Sequence, residues 1–201
     1  MAHEFTAGDL GLDFVNTLEH HEGPVREDAL TSWSELVEWT VKAGLAKPPV
    51  AAKLRALEAK NPRAADGVFR RALQLRECLY RIVTALLAEG TPASDDLRVF
   101  NGFLAEAQTA VVLRPASGGL VFDLAVSAER PESVLGPVVM AAARLLTAPE
   151  TLARIRRCDA ENCRWFFVDR SKNRSRRWCD MQVCGNRAKA REYYRQHRRR
   201  D

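Results

Sequence analysis

Four of the five cysteines fall between positions 158 and 184, spaced Cys158-x4-Cys163-x15-Cys179-x4-Cys184. Two close pairs joined by a short loop are the pattern of a metal site, and a cytosolic chain is not expected to use them as disulfides. Zinc suits four thiolates because it is borderline-soft and tetrahedral, with Zn–S near ~2.3 Å. Four sulfurs fill every position and leave none for water, so the site they predict is structural and not catalytic. A module of about fifty residues has too little core to fold alone, and the metal replaces part of that core. The competing reading is four reduced cysteines with no metal. Cys78 stands apart in an apolar helical pattern and is expected to be a buried, inert thiol.

The residues around the cysteines suggest how they meet. Trp165-Phe166-Phe167-Val168 reads as a strand, residues 169–173 as its turn, and Arg177-Trp178 as the return. After Cys184 the pattern turns helical, and Gly185 is expected to let the backbone pass close to the metal. On a helix, Arg187, Arg191, Arg195 and Arg198 fall within ~80° of one another. Tyr194 lies beside this stripe. Ala190, Tyr193 and His197 share an adjacent face that is expected to pack on the zinc lobe. Arg174, Arg176 and Arg177 form a second basic patch, and Lys189 adds to the first. Guanidinium forks match phosphate oxygens, so these residues are the candidate nucleic-acid contacts.

Charge follows the same division. Residues 151–201 carry 16 basic and 6 acidic side chains, whereas the preceding 150 carry 15 and 20. The net +5 of the whole chain thus hides a tail of +10 on a body of −5. Such a tail points to a polyanion, although a solvated basic surface, or pairing with the acidic body, would give the same count.

The body, residues 1–150, reads as helical with one small β-hairpin; residues 151–201 form the zinc module. Asp9 caps a short opening helix within residues 8–18, and Thr31 or Ser32 caps a second that stops at Gly44. A third follows Pro48-Pro49 and ends at Asn61-Pro62. The strongest runs from about Asp66 to Glu89, where Val68, Ala72, Leu75, Leu79, Ile82, Val83 and Leu86 recur every three or four residues. Ser94 is expected to cap the next, which runs to about Gln108. Val111-Val112-Leu113 and Leu120-Val121-Phe122 flank a Gly-rich turn and predict a hairpin. A last body helix spans about Glu132 to Leu146. Asp13 and Asn16 are polar on an apolar segment; they either line a ligand pocket or tie neighbouring backbone.

Cys158 through Cys163, Phe167-Val168-Asp169, Arg176-Arg177-Trp178-Cys179, Met181 and Cys184-Gly185-Asn186-Arg187-Ala188-Lys189 together resemble a CGNR-type zinc finger over residues 154–199. Gly8-Asp9-Leu10-Gly11-Leu12-Asp13-Phe14-Val15-Asn16-Thr17 resembles the opening of the ABATE domain that precedes this finger. That family is described as stress-induced bacterial transcription regulators. The resemblance implies a treble-clef-like module with Cys158, Cys163, Cys179 and Cys184 as zinc ligands, and a basic helix for DNA.

The leading expectation is therefore a DNA-binding transcription regulator, its partner double-stranded DNA and its body open to a small-molecule effector, a protein partner or a second copy. The alternative is an RNA-binding or ribosome-associated protein, in which Trp165, Trp178, Tyr193 and Tyr194 stack on unpaired bases. An enzyme is the weakest expectation. Glu19-His20-His21-Glu22 offers metal-type side chains, but adjacent residues point apart, and no nucleophile, phosphate-loop or dinucleotide motif is present. No secretory signal or membrane-length apolar run is visible, so the expected location is cytoplasmic, at the nucleoid if DNA is bound.

Overall fold

Asp9 starts the first helix. Its carboxylate accepts the N–H groups of Gly11 and Leu12, which caps α1 (Leu10–Val15). This computed structural model describes residues 5–19, 27–160 and 163–197. His20, His21, Glu22 and Arg198 lie outside that range. Ser32 caps α2 (Trp33–Lys42) by accepting the Glu35 N–H. Proline opens α3 (Pro48–Lys60) and α4 (Pro62–Leu87), where its missing N–H costs nothing. The expected start of α4 near Asp66 is four residues late: Asn61 is the cap, accepting the Ala64 N–H.

The apolar stripe of α4 is buried as its periodicity predicts, with Val68, Ala72, Leu75, Leu79, Ile82 and Val83 in the core. Helices α1, α2, α3 and α5 (Ser94–Thr109) pack around it. Ser94 is the first residue of α5 and caps nothing, since the boundary residue is Ala93. The hairpin forms from β1 (Val112–Ala116) and β2 (Gly119–Asp123), and every residue of it is exposed or half-buried. The last body helix is divided: a 3-10 turn, Pro131–Leu135, precedes α6 (Gly136–Leu146). Gly11 lets α1 lie tightly on α6, because a Cβ there would sit 2.9 Å from the Cβ of Ala142. No helix among the described residues is long and apolar enough to cross a membrane.

Beyond the short α7 (Pro149–Leu152) the chain enters the cysteine region. The strand β4 (Phe166–Val168) forms as expected but pairs with β3 (Ile155–Arg157), not with Arg177-Trp178. Successive strand residues point to opposite faces. Ile155, Phe166 and Val168 therefore enter the core of the body, while Phe167 packs among the cysteines. The β3–β4 hairpin is thus shared between two apolar clusters.

Candidate metal centre and nucleic-acid interface

The four cysteines of the sequence pattern converge. Their Sγ atoms all lie within 4.8 Å of one another, with Cys163 to Cys179 at 3.5 Å and Cys179 to Cys184 at 3.6 Å. All four are buried. Cys158 follows β3, and its N–H donates to the Trp165 carbonyl, which closes the loop carrying Cys163. Arg164 in that loop adopts a left-handed conformation (φ 63°). Asp159 N–H donates to Arg177 O and brings the second pair alongside the first. Asp180 accepts the Val183 N–H and caps a π-helical turn, Met181–Gly185, that carries Cys184.

The donor set fits a divalent soft-to-borderline cation. The thiols of Cys163 and Cys179 donate towards Cys158 Sγ and, helped by the N–H groups of Cys179 and Ala160, pull its pKa down. The same bonds push Cys163 and Cys179 up, and burial pushes Cys184 up. Four thiolates this close repel one another, and a doubly charged metal is what makes them compatible. Gly185 has a different job from the expected one: a Cβ there would lie 2.5 Å from Met181 Sδ, so the glycine makes room for that side chain.

Helix α8 (Asn186–His197) leaves directly from this turn. Arg187, Lys189, Arg191 and Arg195 are all exposed on it. The three arginines make a stripe along one side, and Lys189 lies two residues round from Arg187, on the far side. Ala190, Tyr193 and His197 do not pack on the zinc lobe. Each is exposed, and Tyr193 stacks on His197 at 3.9 Å between ring centroids.

The second patch separates into different roles. Arg174 is exposed on the turn, in a left-handed conformation. Arg177 is exposed, paired with Asp159 at 2.7 Å and lying over the Trp178 ring. Arg176 departs from its expected role as a phosphate contact. Its Nε donates to Trp178 O, its Nη2 to Cys179 O and Thr6 O, and its guanidinium covers the Phe167 ring at 4.5 Å. Three carbonyl acceptors and a ring engage this half-buried side chain, so it braces the lobe.

Asp13 and Asn16 also depart from the pocket reading. Asp13 Oδ1 accepts the Ala7 N–H at 2.9 Å; burial, with the Asp9 charge adding, pushes its pKa up to about 6. Asn16 Nδ2 donates to Phe166 O at 2.8 Å, and its Oδ1 accepts the Phe166 N–H at 2.9 Å. Both side chains are buried ties, and neither lines the cleft between Gly44, Phe122 and Met140 or the one between Val68, Phe103 and Pro131. Cys78 is buried, its Sγ donates to Asp96 O, and burial pushes its pKa up to about 11, so it is an unreactive thiol.

Three further residues anchor the lobe. Arg157 lies over the Phe166 ring at 5.1 Å and donates to Thr84 Oγ1. Arg170 donates to Gly8 O. Asp169, wholly buried, accepts the N–H groups of Ser171 and Arg176 and so shapes the turn between the cysteine pairs.

The comparisons agree with this geometry. A CGNR zinc finger model matches residues 154–199, the segment holding the cage and α8. The ABATE model, described as a putative stress-induced transcription regulator, matches residues 8–149, well over half of the chain. No curated protein matches the chain. By the extent of that match, the chain belongs to the ABATE family and carries a CGNR zinc finger after its helical body.

Proposed function

We propose that the protein is a DNA-binding regulator whose zinc-braced helix α8 lies along the phosphates of duplex DNA. One observation carries this reading: an exposed arginine stripe on a helix that begins where the cysteine cage ends. Zinc held by Cys158, Cys163, Cys179 and Cys184 would fix the turn from which α8 departs. Arg187, Arg191 and Arg195 would then meet successive phosphates, and Arg174 and Arg177 would add contacts from the neighbouring turn. Lys189 would reach a flanking phosphate from the far side of the helix. Arg198, by its spacing, extends the stripe. These contacts position the protein on a duplex and give affinity; they carry no base readout by themselves.

The test is binding of the zinc-loaded protein to labelled duplex DNA, duplex RNA and single-stranded DNA by fluorescence anisotropy across a salt series. The expected result is tightest binding to duplex DNA, with log affinity falling linearly against log salt. Tighter binding to RNA or to single strands would overturn the proposal in favour of an RNA-directed protein, whose tryptophans and tyrosines would stack on bases.

A further inference from the structure

Among the described residues, the most exposed apolar surface of the body is the β1–β2 hairpin. The register pairs Leu113 with Phe122 and Pro115 with Leu120, so these four side chains share one face. That face is entirely apolar, and Leu113, Leu120 and Phe122 are 58%, 64% and 73% exposed. The hairpin's charged residues, Arg114 and Asp123, lie on the other face and pair with each other. A two-stranded hairpin is marginal in water on its own, and a protein gains nothing from exposing such a face unless something covers it.

We infer that the Leu113–Pro115–Leu120–Phe122 face is a homodimer interface, covered by the same face of a second copy of this chain. A two-fold contact sets one patch against itself. A charge-free apolar patch is complementary to itself, whereas a charged patch would repel its copy. A polyanion is excluded as the occupant, because the face offers neither a cation nor a side-chain donor. The four side chains leave on the order of 400 Å2 of apolar surface in water, so two copies would bury about 800 Å2 there. An area of that size suits a weak, reversible dimer that forms only at high concentration. The inference stands apart from the DNA reading, since it concerns the free protein.

Sedimentation velocity of the zinc-loaded full chain, from low to several hundred micromolar, tests it without DNA. The expected mass rises from the 22.5 kDa monomer to twice that value. Leu120→Glu/Phe122→Glu should remain monomeric throughout. Both positions face water in the monomer, so circular dichroism and melting should be unchanged. Val121→Glu, on the opposite face, should still dimerise. A wild-type chain that stays monomeric, a dimer that survives the double substitution, or a Val121→Glu monomer would each overturn the inference.

Discussion

Asn16 and Phe166 are 150 positions apart in sequence and joined by two hydrogen bonds, one to each backbone group of Phe166. The Asn16 amide, at the end of α1, behaves as a strand partner for β4 and fixes the cysteine lobe to the body. Asn16→Ala would leave a buried N–H and a buried C=O unpaired, and each orphan costs about 1–3 kcal/mol. Urea unfolding should show a loss of ~2–4 kcal/mol, with hydrogen exchange rising at Phe166 and at the β3–β4 pair together. A loss confined to α1 would contradict this coupling.

Metal removal should be felt beyond the cage. Ile155, Phe166 and Val168 belong to the body's core, and Phe167 on the same strand belongs to the cysteine cluster. Chelation should therefore change Trp165 and Trp178 fluorescence and also lower the melting temperature of the body. A body that melts unchanged after chelation would mean that the two clusters are independent.

Arg176 and Arg187 should separate cleanly. Arg176 braces the carbonyl of Cys179 and covers Phe167. Its removal should weaken zinc retention about 10–100-fold, the usual effect of losing a residue that orients a metal ligand. Arg187→Ala should leave zinc retention intact and lower the salt slope of DNA binding by about 1. Competition with a chromogenic chelator reads the first effect, and anisotropy reads the second.

Asp13 gives the stability a pH dependence of known sign. Its pKa is 3.8 in the open chain and about 6 when buried in the fold. The folded state then binds the proton more tightly. This contribution is fully present below pH ~4 and is lost as pH rises through ~6, amounting to at most ~3 kcal/mol. Asp13→Asn should remove that part of the slope. A carboxyl titration by NMR with its midpoint near 4 would contradict the assignment.

Local signals were enough for the elements that local chemistry decides. Asp9 and Ser32 cap as their types suggest, the α4 stripe is buried on its period, and the cysteine spacing marks the cage. What escaped depends on distant partners. The sequence Phe166-Phe167-Val168 shows a strand but not which strand it joins, because its two faces serve two different clusters. Arg174, Arg176 and Arg177 look alike in sequence, and only the carbonyls around Arg176 distinguish it. The exposed face of Ala190, Tyr193 and His197 follows from α8 leaving the lobe after a single π turn, a direction no residue type encodes. Asp13 and Asn16 read as pocket or tie, and the choice is made only when Ala7 and Phe166 are placed beside them.

The most direct measurement is DNA affinity of Arg187→Glu/Arg191→Glu/Arg195→Glu against the wild type, with bound zinc and melting temperature confirmed equal. Reversing three exposed charges on α8 should abolish duplex binding at moderate salt. Unchanged affinity in a folded, zinc-loaded variant would contradict the assignment of this helix to DNA.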